Sequence, residues 1–99
     1  MTIFFIIALA LVLVAFYLDY SISVTGLRKG VALEGNYVVQ KLYGTKPTPG
    51  QLFIGLMPQE VTAVLIGSLL FWYYIGAGIF LALIARHIQN YIGWKKLGA

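Results

Sequence analysis

The chain contains no cysteine in its 99 residues. Disulfides, thiolate chemistry and cysteine-based metal sites are therefore excluded, and the redox compartment is unreadable. Charge is almost as scarce. Asp, Glu, Lys and Arg make up 10% of the chain, where soluble domains carry roughly 25%. The three acids are Asp19, Glu34 and Glu60, and the only histidine is His87. So small a stock of titratable groups supplies no HExxH motif, no paired metal ligands at i,i+4 and no P-loop. Gly44 and Gly50 read as turn residues rather than a phosphate cradle. Neither a cofactor nor a metal is expected, and no catalytic constellation is visible.

What the chain does have is long uncharged stretches. Residues 61–85 form a run of 25 without a charge, and residues 1–18 form a second. A bilayer-spanning helix needs about 20 apolar residues. The expected fold is an all-α integral membrane protein, a single membrane domain with two transmembrane helices and a short interfacial or re-entrant helix between them. Three spans are the alternative. The first run carries no Lys or Arg at its start and no convincing cleavage site after it, so we read a retained helix rather than a signal peptide. The net charge is +4. The basic residues sit beside apolar runs, where anionic headgroups attract each at about 1 kcal/mol. The expected partners are therefore the lipid bilayer and other membrane subunits or self, and not nucleic acid.

Helix one is expected over residues 2–29, apolar on every side to Leu18. Arg28 and Lys29 suit its negative end, and Gly30 suits its stop. Residues 31–43 form a short mixed segment whose Leu33, Tyr37, Val38 and Leu42 share one face. Residues 44–51, with two prolines and two glycines, read as a loop. Helix two is expected over residues 58–94. Pro58 and Glu60 would lie in its first turn.

In that two-span reading the aromatic group Phe71 to Tyr74 falls mid-helix and has to face protein, because Trp and Tyr prefer interfaces. The three-span alternative divides the chain near 52–71 and 75–94. Its cost is Arg86 near a span centre, about 2.5–3.5 kcal/mol on insertion scales. The basic residues split four (Arg28, Lys29, Lys41, Lys46) to three (Arg86, Lys95, Lys96). That is too even to orient a hairpin by the positive-inside rule.

Asp19, Ser23, Gly26 and Gly30 share one helical face. Asp19 is the deepest charge in helix one, and intramembrane acids need partners. Arg28, Lys29, Lys41 and the Asn36 amide are the candidates. Asp19, Ser23, Gly26-Leu27, Gly30, Glu34 and Asn36 resemble a pattern in small, uncharacterised prokaryotic membrane proteins: Asp-x3-Thr, then Gly, then Glu-x-Asn-Pro. Ser23 stands where Thr is usual, and Tyr37 where Pro is usual. The resemblance covers residues 19–36 and transfers no activity. It implies one hydrogen-bonded polar cluster of Asp19, Ser23, Glu34 and Asn36, read here as structural.

On helix two, Ala63-x3-Gly67 and Gly78-x3-Ala82 fit the small-x3-small pattern of close helix contact. With Gly76 and Trp72 they make the expected packing surface. Arg86, His87, Trp94, Lys95 and Lys96 are expected at lipid headgroups, with Tyr91 as a further interfacial anchor.

Function is read as a non-enzymatic accessory or scaffold subunit of a larger membrane complex, acting through helix contacts. The first alternative is a self-assembling pore-former; phage holins are similar in size, span number and basic C-terminal end. The second is a small ion or proton transporter using Asp19 and Glu34. The expected location is a prokaryotic or viral-encoded inner membrane.

Overall fold

The computed structural model describes residues 2–31 and 33–99. Four helices follow one another: α1 (Thr2–Lys29), α2 (Tyr37–Tyr43), α3 (Pro49–Leu69) and α4 (Tyr74–Lys96). No strand occurs among the described residues. Met1, and Ala32 of the mixed segment, lie outside them.

α1 has the bounds expected from its charge pattern. Gly30 ends it with φ of 71°, a conformation that costs a residue with a Cβ about 1–2 kcal/mol. The Val31 N–H then reaches back to the Gly26 carbonyl, and the Gly30 N–H to the Leu27 carbonyl, each at 3.2 Å. This is the Schellman arrangement.

The second half of the chain departs from expectation. α3 begins at Pro49, not at residue 58, so residues 49–51 belong to a helix and not to a loop. Thr48 is the N-cap. Its hydroxyl accepts from the Gln51 N–H at 3.2 Å, and the Gln51 side chain accepts from the Thr48 N–H at 3.0 Å. Thr48-x-x-Gln51 is a capping box, and Pro49 is suited to a first helical position. Pro58 sits inside α3, where its ring and missing N–H disrupt the bonding of the preceding turn. The carbonyl that loses its donor is that of Ile54, four residues back; one residue on, the Gln59 side-chain amide donates to the Gly55 carbonyl at 2.8 Å.

The expected helix over 58–94 is in fact two, α3 and α4, antiparallel and joined by residues 70–73. The turn is possible because Gly76 lacks a Cβ. The Leu70 carbonyl and Phe71 Cα lie where one would stand. The Gly76 N–H donates to the Leu70 and Tyr73 carbonyls at 3.1 Å each. Phe71 turns inward and is 4% exposed, whereas Trp72, Tyr73 and Tyr74 point outward. The expectation that Trp72 faces protein is therefore corrected. It stands at an end of the bundle, not at mid-helix.

α1 packs chiefly on α4, and the two run parallel. Three layers in constant register hold them: Val12 with Phe80, Asp19 with His87, and Gly26 with Trp94. Each partner lies 68 positions further along, as in the Asp19–His87 pair, and the layers are seven residues apart. That is the heptad spacing of knobs-into-holes packing. α3 runs against both, with Phe53 beside Tyr20 at one end and the Phe71 turn beside Phe5 at the other. The molecule is 43 Å long, about the length of α1 alone at 1.5 Å per residue. The three long helices therefore lie side by side.

α1 and α3 are each long and apolar enough to cross a membrane. Only 11% of the most apolar stretch of α1 is buried. Ile3, Phe4, Ile6, Ile7, Leu11, Leu13 and Val14 are all more than half exposed. A core helix of a water-soluble domain would hide such residues.

Candidate functional site

The heptad layer at Asp19 and His87 is the only one of the three built from ionisable groups, and α3 completes it. His87 Nδ1 lies 2.7 Å from Asp19 Oδ2. His87 Nε2 lies 3.0 Å from both oxygens of Glu60. One imidazole thus ties α1 to α3 through α4. The three side chains are 9–13% accessible. The Phe16 ring stands edge-on to the imidazole, 5.7 Å away. Asn90 donates to Asp19 Oδ2 at 3.3 Å. Ser23 donates to the Asp19 carbonyl at 2.8 Å, with a longer contact to Oδ1 at 3.4 Å.

Counting hydrogens gives the charge of this triad. Two separate nitrogen–oxygen contacts need two hydrogens, and a neutral imidazole carries one. The triad holds one more, either as imidazolium between two carboxylates or as neutral histidine with one carboxylic acid. Both forms carry a net charge of −1. Both ring nitrogens are occupied on opposite sides, so imidazole and carboxylates do not converge on a common point. Among the described residues no group of three or more His, Asp or Glu side chains is placed to hold a metal ion.

The structure divides the expected polar cluster of Asp19, Ser23, Glu34 and Asn36. Asp19 and Ser23 belong to the triad layer. Glu34 Oε1 accepts from the Asn36 N–H at 2.8 Å, and the Gln40 side chain donates to the Glu34 carbonyl. Asn36 caps α2 through the Val39 N–H at 3.1 Å and exchanges amide hydrogen bonds with Gln59 at 3.2 and 3.3 Å. Val39 seats on Gly55, where a Cβ would meet its side chain at 2.8 Å. The two groups share no hydrogen bond with each other, yet both border one cleft of about 380 Å³, lined also by Arg86, Gln89, Asn90 and Trp94. A smaller cavity of about 150 Å³ reaches the triad itself, past Asn36, Gln59 and Arg86.

His87 was expected at lipid headgroups. It is instead 8% exposed, drawn inward by two carboxylates. Trp94, expected in the same group, is half-buried with its ring over Gly26. Arg86, Lys95 and Lys96 are exposed. Of the expected packing residues, Gly67 meets the Phe80 ring, which stands 2.5 Å from a Cβ built there. Gly76 makes the turn, and Ala63 lines the smaller cavity. Among the described residues Gly78 has no neighbour within reach of a Cβ, and Ala82 is exposed, so both lie on the outer face of α4.

Sequence reasoning missed both the Glu60–His87 pair and the use of His87 by Asp19. One signal was present. On α4, Phe80, Leu83, His87, Asn90 and Trp94 alternate steps of three and four, matching Phe5, Ala8, Val12, Ala15, Asp19, Ile22 and Gly26 on α1. No family model, curated protein or solved structure matches the chain.

Proposed function

We propose that the chain is a three-span, non-enzymatic integral membrane protein. It serves as an accessory subunit of a membrane complex and offers a polar binding cleft on its cytoplasmic side. One observation carries this reading: the ionisable side chains are segregated along the bundle. The α1–α3 connection lies at the same end as the C-terminus, since the Lys29 ammonium meets the Gly98 carbonyl there. Six of the seven Lys and Arg therefore belong to the end that holds the C-terminus, Arg86 stands at the level of the triad inside α4, and none belongs to the end around the Phe71 turn. Four against three becomes six against none outside the spans, and the positive-inside rule then orients the protein with its basic end cytoplasmic.

The dimensions support three spans. Tyr74 to Trp94 covers about 30 Å of helix, the thickness of a hydrocarbon core. Trp72, Tyr73 and Tyr74 make one interfacial belt, and Tyr91 and Trp94 the other. Arg86 does not face lipid in this arrangement, because it borders the polar cleft. Insertion costs are lowered when intramembrane charges face protein or water-filled cavities.

A conducting role fits less well. Beyond the triad, the bundle is closed by Val12, Phe71 and Phe80 with Phe5 packed on them, so a polar path ends there. A self-assembled pore would need a polar stripe on an outer face, and the outer faces of α1 are apolar. The open small-residue face at Gly78 and Ala82 suits a partner helix.

The test is topology. Because the chain lacks cysteine, single variants Thr2→Cys, Tyr74→Cys, Lys46→Cys and Ala99→Cys each place one thiol. With a membrane-impermeant maleimide on intact cells, the first two are expected to label and the last two only after permeabilisation. Labelling of Thr2→Cys and Ala99→Cys from the same side would refute three spans. Purification in mild detergent tests the subunit role, and recovery of the chain alone as a monomer from its native membrane would refute it.

A further inference from the structure

The identity of the ligand follows from the charges around the larger cleft, and rests on the binding role proposed above. The wall of the cleft is mixed. Asp19, Ser23, Glu34 and Asn36 supply acceptors, Arg86, Gln89 and Asn90 supply donors, and Leu33, Leu97 and Trp94 supply apolar surface. Arg86 has no carboxylate within 4.0 Å among the described residues; the recorded ion pairs both belong to His87. Glu34 is 8% exposed. The Asn36 N–H holds its Oε1, and Oε2 has no partner among the described residues. Asp19 Oδ1 has only the long contact from Ser23.

The ionic sum is negative. The triad contributes −1, Glu34 −1 and Arg86 +1, which leaves −1 around a cleft of about 380 Å³. A cation without a carboxylate partner, under-used carboxylate oxygens and apolar surface thus line the same cleft. Such a cleft complements a molecule that carries a phosphate for the guanidinium and a hydrogen-bonding ammonium for the carboxylates. It also complements an apolar body for Leu33, Leu97 and Trp94. The triad lies about 10 Å of helix inside Trp94, which puts the cleft mouth at headgroup depth.

We infer that this cleft binds the headgroup of a primary-amine phospholipid, its ammonium held by Glu34 and Asp19 and its phosphate by Arg86. A choline headgroup fits poorly, because its methylated nitrogen cannot donate hydrogen bonds. A glycerol headgroup brings the phosphate without the cation.

The test uses the full chain, delipidated in mild detergent, with native mass spectrometry of lipid adducts. The probes are phosphatidylethanolamine, phosphatidylcholine and phosphatidylglycerol of identical acyl chains, and soluble phosphoethanolamine. The ethanolamine lipid should bind about tenfold tighter than the other two, the worth of one charge-assisted hydrogen bond. Glu34→Gln should remove that preference while overall lipid binding persists, and Arg86→Gln should weaken all three lipids. Far-UV circular dichroism of both variants controls for folding. If a variant fails to fold, the headgroup preference of the wild-type chain decides.

Equal binding of ethanolamine and choline lipids would overturn the assignment, as would phosphoethanolamine binding as tightly as the lipid. Preference for phosphatidylglycerol would overturn the ammonium site but keep a binding cleft. Absence of any lipid sensitive to Glu34→Gln or Arg86→Gln would overturn the binding role as well.

Discussion

Replacing His87 by leucine removes the side chain whose hydrogen bonds link α1, α3 and α4, while keeping a similar volume. In the wild type the imidazole sits between two carboxylates whose side chains are 13% and 11% accessible. Leucine leaves Asp19 and Glu60 facing an apolar side chain without their shared donor. Breaking a buried pair by removing one partner costs about 3–5 kcal/mol. Asp19 keeps Asn90 as a donor and borders the polar cleft, so the lower end of that range, about 3 kcal/mol, is expected. For a protein of ordinary stability, about 5–15 kcal/mol, that is a large share.

The triple variant Asp19→Leu, Glu60→Leu, His87→Leu separates the two sources of that loss. Replacing a whole buried ionic group by apolar residues is often neutral or stabilising, so the triple variant should recover to within about 1 kcal/mol of the wild type. The assay is reversible unfolding in mixed micelles, followed by far-UV circular dichroism as denaturing detergent is titrated. Two results would refute the reasoning: His87→Leu within about 0.5 kcal/mol of wild type, the usual range of a surface change, or a triple variant as unstable as the single one. The first would mean that the triad is not buried in the membrane-inserted protein. The second would mean that the layer is held by shape and not by charge.

The glycines give sharper contrasts. Gly67→Leu pushes into Phe80 and the adjacent Ile79 side chain, and over-packing of this kind costs about 1–3 kcal/mol, measured by the same unfolding assay. Gly78→Leu meets nothing within the chain; its stability should match that of Lys95→Ala, while its recovery with partner proteins in mild detergent falls. Gly26→Leu displaces the Trp94 ring from its seat. In a Trp72→Phe background, where Trp94 is the only tryptophan, its fluorescence emission should shift and its quenching by an aqueous quencher rise. An unchanged spectrum would contradict the α1–α4 register.

The helical class, the extent of α1 and its terminating glycine were legible because they are local. They depend on runs of apolar residues, a basic last turn and a residue tolerant of positive φ. The start of α3 was also legible in principle. Thr48-Pro49-x-Gln51 carries a capping box and a first-turn proline, but the density of Pro and Gly in residues 44–51 gave it the look of a loop. The split between α3 and α4 was harder to see. Residues 61–85 contain no charge and no proline, and the turn depends on close backbone approach at Gly76, which is a tertiary fact. The aromatic residues beside it were the clue, since Trp72, Tyr73 and Tyr74 suit an interface better than a helix centre.

The site was the least legible part. α1 is apolar on every side, so its packing face leaves no amphipathic trace. Only the heptad placement of Ala8, Ala15, Asp19 and Gly26 distinguishes that face. Asp19 was recognisable as a charge in need of a partner, but the nearest candidates in sequence, Arg28 and Lys29, lie further toward the end of α1. His87 was read as a surface group because it adjoins Arg86. Neighbours on a helix point about 100° apart, so Arg86 at the cleft edge says nothing of where His87 points.

By itself the sequence determined that this chain is helical, that it carries membrane-length apolar segments, and that its few ionisable groups must be sheltered. Those properties follow from composition and local spacing, which any fold of the chain inherits. Tertiary structure alone decided that α1 and α4 run parallel, that Asp19, Glu60 and His87 meet in one layer, and that six of the seven basic residues gather at one end. Each of these depends on which helix lies beside which, and a chain free of charge over long runs leaves that choice to small residues, a capped turn and three polar side chains packed far apart in sequence.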